Sequence, residues 1–350
     1  MFKYCCGCMA VIPNNSRQWT NKKYCSVKCR KTDHRKKKSL TTRSMQKRSN
    51  LLQNEEMLYL INQCRKAKTI QILHGHTLDT FVETMSLVRK RPAGDVNLCH
   101  ISPIKGKGST GLFHCLNLFY GGSYQNKKFG NAYLSGGLFI NNHQLKDQWR
   151  VSNEMSNNDI LLAIELFLKD IIVDYIKISP VKKSKKANLA MKISETNPSL
   201  RFDDLMFWSY YDLNYEWSKV SGQRAYIVDR QKESKYLAYI DELTRFISYK
   251  NERAKTLKKL RRILVIGYMA LERIAASETY NKYFYVKYEP LINLKYGQAM
   301  LRNPSDWPEF KDLMYETAFN VMQGAHLDTS RFSKKVMSYL VFPDRAFTIR

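Results

Sequence analysis

The sequence predicts an α+β chain in three parts: an N-terminal cysteine-rich finger, a small module of short strands and one helix, and a mainly helical C-terminal domain. Three observations predict it. Two close pairs of cysteines open the chain. A short apolar run ending at His100 is followed by glycine-containing loops. From Ser156 onward, apolar residues recur at three- and four-residue steps. The divisions fall at 1–38 for the finger with its basic tail, 39–92 for a helical linker, 93–150 for the small module and 151–350 for the C-terminal domain.

A chain of 350 residues with 44% hydrophobic and 12% aromatic content has enough apolar material to fold. Its charge is far from typical. The 58 Lys and Arg side chains outnumber 31 acidic ones, a formal +27. Self-repulsion makes such an excess costly, and its natural use is attraction of a polyanion, with nucleic acid the first expectation. An anionic membrane is the weaker alternative, because no run of about 18 apolar residues exists to span one. The opening MFKYCCGCMAV is too short and too cysteine-rich for a secretory signal. Eight cysteines without such a signal suggest a reducing, intracellular (cytoplasmic) setting, where clustered thiols more often bind metal than pair.

Cys5 and Cys8 form one pair and Cys25 and Cys29 the other, with Cys6 competing with Cys5 for the first position. Both spacings let two thiolates reach one tetrahedral ion, and four sulfur ligands favour structural Zn²⁺. Ser26 is placed to cap a helix carrying Cys29 on its first turn. The YCSxxCR signature resembles treble-clef zinc fingers, in which the second cysteine pair opens a helix. Residues 1–50 hold 14 Lys or Arg against one acid, Asp33. Arg30, Lys31, Arg35, Lys36, Lys37 and Lys38 crowd the proposed helix and are read as a phosphate-tracking arm, which adds affinity without sequence preference.

Beyond the basic arm, Leu51, Leu52, Met57, Leu58, Leu60 and Ile61 form an uneven helical stripe, and Thr77 can cap a helix bearing Phe81, Met85 and Val88. The His74-Gly75-His76 pair between them receives no role. The run 96–101 reads as a strand ending near His100. Ser102-Pro103 stops it, Lys105-Gly106-Lys107-Gly108 is a basic loop, Leu112-Phe113 suit a second short strand, and Asn117-Leu118 lead towards Asn126-Lys127-Lys128. Gly121-Gly122 predict that the closing helix starts late.

The combination His100, Pro103, Asn117-Leu118 and Asn126, with eight residues between the asparagines, resembles the HNH (His-Me finger) endonucleases in an HNN version, over about thirty residues. The resemblance implies a ββα-metal module and metal-dependent hydrolysis of phosphodiester bonds, with DNA the expected substrate. It makes His100 the general base, gives Asn117 the task of fixing the loop and the orientation of His100, and makes Asn126 an oxygen donor to Mg²⁺ or another divalent ion. Lys105, Lys107, Lys127 and Lys128 would meet flanking phosphates. The chemistry suits these residue types, since hydrolysis needs an activated water and a counter-charge for the phosphate, and a neutral imidazole can take the water's proton. A finger joined to such a module also resembles proteins of phages and mobile elements.

Cys99 departs from the pattern, because the family usually places Asp, Glu or His, a metal ligand, just before the catalytic histidine. A thiol is a poor partner for Mg²⁺. Three alternatives follow: Asp95 or His114 supplies the ligand instead, the ion is softer than Mg²⁺, or the module binds without cutting. A second zinc knot of Cys99, His114 and Cys115 is a further alternative, disfavoured because adjacent residues lack the usual ligand spacing.

In the C-terminal part, Ser156 or Asn157 caps a helix carrying Ile160, Ile164, Leu168, Ile171 and Tyr175, which Pro180 ends. Lys182, Lys183, Lys185 and Lys186 form a second basic loop. The aromatic cluster Phe207, Trp208, Tyr210, Tyr211, Tyr215 and Trp217 is read as core rather than as a base-stacking surface. Residues 225–276 suit one or two long helices with a basic segment at 255–262, and a further helix is expected over 308–323. No repeat, P-loop or Ser-His-Asp triad is present. Two main functional classes follow, an HNH-like endonuclease or a non-catalytic zinc-finger protein that binds DNA or RNA through a degenerate module, with a structural zinc protein that engages acidic protein partners as a weaker third.

Overall fold

The sequence fragments its strands with glycine, proline and basic loops, and the fold is accordingly helical, with only small sheets. The computed structural model describes residues 2–15, 19–92, 95–206, 208, 210–222, 235–275, 282–292, 294 and 298–343. Among these, every sheet is a two-stranded antiparallel pair. The chain divides into two compact units. One joins Met1–Leu58 to Lys169–Ala225, and the other joins Tyr59–Leu168 to Tyr226–Arg350. The division expected at 150/151 is therefore not where the units part.

In chain order, strands β1 (Lys3–Tyr4) and β2 (Val11–Ile12) pair into a hairpin whose turn carries Cys5 and Cys8. Helix α1 (Val27–Ser49) begins as predicted at Ser26, whose hydroxyl accepts from the Cys29 N–H at 3.1 Å. Helix α2 (Glu55–Ala67) buries Met57, Leu60, Ile61 and Cys64, a regular stripe inside the uneven one. Helix α3 (Leu78–Arg89) starts at Thr77, which accepts from Thr80 N–H in a reciprocal cap.

The small module follows. Strand β3 (Val96–His100) pairs with β5 (Leu118–Gly122), with His100 opposite Leu118 and Val96 opposite Gly122. Between them, β4 (Ser109–Gly111) pairs with β6 (Phe139–Asn141), and helix α4 (Ser123–Phe129) leaves directly from β5. The late helix start has a steric reason. A Cβ on Gly121 would lie 3.0 Å from the Phe319 ring and 3.1 Å from Cys99 Sγ, and one on Gly122 would fall 2.2 Å from Gln125 Oε1. The two glycines belong to the strand because neighbours press against it.

The single helix expected over 157–179 is two, α5 (Asn157–Leu168) and α6 (Asp170–Ile178), broken at Lys169, whose φ is +49°. Ser156, not Asn157, is the cap of α5, exchanging hydrogen bonds with Asp159. Helices α7 (Lys185–Thr196), α8 (Phe202–Leu205) and α9 (Tyr210–Ser221) enclose a small core of Leu189, Ala190, Ile193, Leu205 and Leu213. The aromatic cluster divides there. Trp208 and Trp217 pack on this core, Tyr210 and Tyr215 are exposed, and Phe207 and the Tyr211 side chain lie outside the described residues.

The region 225–276 yields α10 (Lys235–Ser248) and α11 (Ala254–Ala275), with 225–234 and 276 outside the described residues. Then come α12 (Lys282–Tyr288), β7 (Met300–Leu301), α13 (Trp307–Met322), α14 (Thr329–Ser338) and β8 (Leu340–Val341), the last pairing with β7. One continuous core unites Cys99, Ile101 and Phe119 of the small module with Tyr239 and Leu243 of α10, Leu264 of α11 and Phe319 of α13. Burial of this kind contributes about 1.5–3 kcal/mol per large apolar side chain, which two short strands alone cannot supply.

Candidate functional site

The first candidate is the cysteine cluster. The sulfurs of Cys5, Cys8, Cys25 and Cys29 lie within 4.8 Å of one another. Cys25 Sγ is 3.5 Å from that of Cys8 and 3.4 Å from that of Cys29. A tetrahedral zinc with bonds of about 2.3 Å requires sulfur separations of about 3.8 Å, so the donor set fits the ion. The local backbone builds it. Cys5 N–H donates to Ala10 O at 2.8 Å and Met9 N–H to Cys5 O at 2.9 Å, closing the knuckle, while the cap at Ser26 starts the helix that presents Cys29. The competition for the first ligand is resolved by orientation: Cys5 is buried towards the cluster and Cys6 is exposed.

The electrostatics of the four thiols point the same way. A backbone N–H donor at Cys25, helped by those of Gly7 and Cys8, draws the Cys5 thiol down to about 6. Crowding by Cys29 and Cys8 pushes Cys25 up to about 12. Four sulfurs so close cannot all ionise unless a cation is shared among them. The cluster can thus hold a structural metal such as zinc.

Arg30, Lys31, Arg35 and Lys36 are exposed along α1, whereas the side chains of Lys37 and Lys38 lie outside the described residues. The 23-residue α1 holds ten Lys or Arg and a single acid, Asp33, which accepts from Tyr24 Oη at 2.6 Å. The unit containing α1 carries 24 basic against 10 acidic side chains, a formal +14 over 115 residues.

The second candidate lies in the other unit. His100 ends β3 and Asn126 stands on α4, and both line one cavity of about 230 Å³. Asn117, wholly buried, is the tie that shapes its rim. Its Oδ1 accepts from Ser102 N–H at 2.8 Å and Leu138 N–H at 3.1 Å, and its Nδ2 donates to Ser102 O at 3.2 Å and Leu112 O at 2.7 Å. Gly137, at φ +79°, is required beside it, because a Cβ there would fall 2.1 Å from Asn117 Oδ1. The loop after His100 is thereby fixed to the start of β5.

His100 itself has a Nε2 shut off from solvent and without a hydrogen-bond partner among the described residues. Burial, with a contribution from the Lys66 cation, lowers its pKa to about 4, so the ring is neutral at physiological pH. Its backbone O accepts from Gln323 Nε2 at 3.1 Å. Further support comes from α10. Arg245 donates to Cys115 O at 2.9 Å and to Leu118 O at 2.5 Å, gripping the backbone on both sides of Asn117, and pairs with buried Glu242 at 2.5 Å. Burial pushes the Glu242 carboxyl up against the pull of Arg245.

Cys99 requires correction. It lines the cavity beside His100, yet it is buried and its side chain belongs to the apolar core with Phe119. Burial raises its pKa to about 12. A thiol held protonated in this way is a poor ligand for a hard ion such as Mg²⁺. The second-zinc alternative also lacks support. The Cys5–Cys29 cluster is the one group of metal-ligating residues found among the described residues. His114 instead stacks on His76 at 4.6 Å, its Nδ1 accepting from Leu116 N–H, and Cys115 N–H donates to Thr84 Oγ1.

Lys105, Lys107 and Lys127 are exposed, whereas Lys128 forms an ion pair with Glu316 at 2.6 Å and is less available to a phosphate. Sequence reasoning missed one wall of the cavity, formed by Tyr59, Gln63 and Lys66. Their four- and three-residue spacing places them on one face of α2, a signal hidden among the leucines of the same segment. Comparison with protein-family models, with curated proteins and with solved structures finds no match to this chain. No described helix is long and apolar enough to cross a membrane.

Proposed function

We propose that the chain is a metal-dependent, HNH-like endonuclease acting on DNA, with His100 as general base, Asn117 as the residue that positions it and Asn126 as an oxygen donor to a divalent ion. The observation that carries the reading is that His100 at a strand end and Asn126 on the following helix line the same cavity, while Asn117 ties the intervening loop. A neutral imidazole takes a proton from the attacking water, the water oxygen bonds to phosphorus, and the bond to the leaving sugar oxygen breaks. A pKa of about 4 makes free His100 a weak base. The negative phosphodiester brought beside it raises that value towards the range suited to catalysis. The divalent ion would supply charge stabilisation at the leaving oxygen. The exposed Arg30, Lys31, Arg35 and Lys36 of α1, and Lys105, Lys107 and Lys127 of the other unit, supply phosphate contacts.

The core position of Cys99 favours a second reading, a zinc-finger protein that binds DNA or RNA through this module without cutting. One experiment separates the two. Parent and His100→Ala proteins are incubated with plasmid, linear and branched DNA and with RNA, in Mg²⁺ or Mn²⁺. Cleavage by the parent and its loss in the variant are expected. Equal cleavage by both, or none with any ion alongside salt-sensitive binding, would rule out the catalytic role of His100.

A further inference from the structure

The cavity beside His100 has an asymmetry that the strand–loop–helix pattern does not account for. Its lining includes Lys66 and His100 but no Asp or Glu. A site of this composition favours an anion, and leaves a divalent ion to be held chiefly by the phosphate that enters with it. Lys66 sits on α2, at the end of the face that begins with Tyr59 and Gln63. It is exposed and makes no hydrogen bond or ion pair among the described residues, unlike Lys128, Lys177 and Lys287, each of which has a carboxylate partner.

We propose that Lys66 receives the scissile phosphate across the cavity from His100, making α2 a working wall of the site rather than a linker. The inference rests on the phosphodiesterase reading for its catalytic part. Three features support it. A lysine presents a compact charge with three donors on a flexible stem, suited to a phosphate whose non-bridging oxygens gain charge during displacement. The side-chain oxygens lining the cavity include the amides of Gln63, Asn126 and Asn131 and no carboxylate, whereas Mg²⁺ is ordinarily held by one or two carboxylates plus substrate phosphates. A site so poor in acidic ligands leaves much of the charge neutralisation to a fixed protein cation. Finally, Lys66 is the charged group that bears on His100, so filling the cavity with an anion would relieve the electrostatic conflict between the cation and a protonating imidazole.

The test uses the full chain as Lys66→Met, Lys66→Arg and His100→Ala. The probe is the dinucleotide dTpdT, titrated without divalent ion, with the His100 imidazole ¹H–¹³C signal as a local readout that distant basic surfaces do not move. The parent should show a saturable shift, Lys66→Met should weaken it about tenfold, and Lys66→Arg should stay within about threefold. In cleavage assays Lys66→Met should lose about 10²–10³ in kcat, with Lys66→Arg retaining most of the activity. As the Lys66 side chain is exposed, both Lys66 variants should keep the parent's circular dichroism spectrum. If His100→Ala abolishes cleavage while Lys66→Met cleaves and binds as the parent does, the Lys66 assignment is overturned and the nuclease reading stands. If the parent never cleaves but dTpdT binding depends on Lys66, the anion wall stands and the nuclease reading falls. Absence of any Lys66 dependence, in binding and in cleavage, overturns the proposal.

Discussion

Replacing Asn117 by alanine tests the central tie of the cavity. The side chain makes four hydrogen bonds to backbone, at 2.8, 3.1, 3.2 and 2.7 Å. Ser102 is fully buried and Leu112 nearly so, whereas Leu138 is half-buried and its N–H can turn to water. Asn117→Ala therefore strands two carbonyls and one N–H in a dry region, at about 1 kcal/mol or more each, for a total of about 3 kcal/mol. That is a large share of an ordinary stability of about 5–15 kcal/mol. Because the chain has two units, global unfolding mixes their responses. Amide hydrogen exchange over 96–122 is the direct assay, and 3 kcal/mol corresponds to about a 150-fold loss of protection at Ser102. Asn117→Asp should do no better than alanine, because it keeps the two acceptor roles but sets a carboxylate against the carbonyls of Ser102 and Leu112. Unchanged protection at Ile101 and Ser102 in Asn117→Ala would refute the reasoning.

Four other outcomes are expected. Arg245→Met should cost about 3–5 kcal/mol because it leaves Glu242 buried without its partner and frees the carbonyls of Cys115 and Leu118, and adding Glu242→Leu should restore the carboxylate's share, as read in a double-mutant cycle of urea midpoints; an additive double mutant would contradict the pairing. The purified chain should carry one zinc by elemental analysis, lost in Cys25→Ser and kept in Cys6→Ser, and the reverse pattern would sink the ligand assignment. Burial lowers His76 and His100 to about 4, against about 6.5 when unfolded. Their neutral forms thus contribute fully above pH 6.5, and stability falls between pH 6.5 and 4 by up to about 2.7 kcal/mol per pH unit for two protons, which urea midpoints at pH 7, 5.5 and 4 would measure; a flat profile would exclude it. The excised fragment 93–150 should give the narrow amide spectrum of an unfolded chain, and a dispersed spectrum would show that the module stands alone.

Local signals in the sequence were read accurately where the physics is local. Ser26 and Thr77 cap the helices they were assigned to because a hydroxyl reaching an N–H three residues on needs no tertiary context. The spacing of Cys5, Cys8, Cys25 and Cys29 likewise foretold the gathering of their sulfurs. Other features had no local trace. The break at Lys169 puts an ordinary residue at positive φ within a continuous apolar pattern, and the sequence carries no glycine there to announce it. Lys66 was hidden for a different reason: its role depends on which helix face meets a cavity formed by residues more than thirty positions later.

That the small module shares a compact unit with the later helices has a single physical origin. A module whose main sheet is two strands of five residues buries too little apolar surface to pay the entropy of ordering itself. It must borrow a core, and the borrowed groups come from late in the chain. Tyr239 Oη accepts from Gly122 N–H at 2.8 Å at the end of β5, Arg245 grips Cys115 O and Leu118 O, and Gln323 Nε2 donates to His100 O. Each of these contacts a backbone atom, so the side chain contacted leaves no mark in the sequence. What α10 and α13 recognise is the path of the main chain around Asn117 and His100. The C-terminal helices are consequently part of the site's framework, and substitutions more than a hundred residues from His100 should alter it through backbone placement rather than through chemistry.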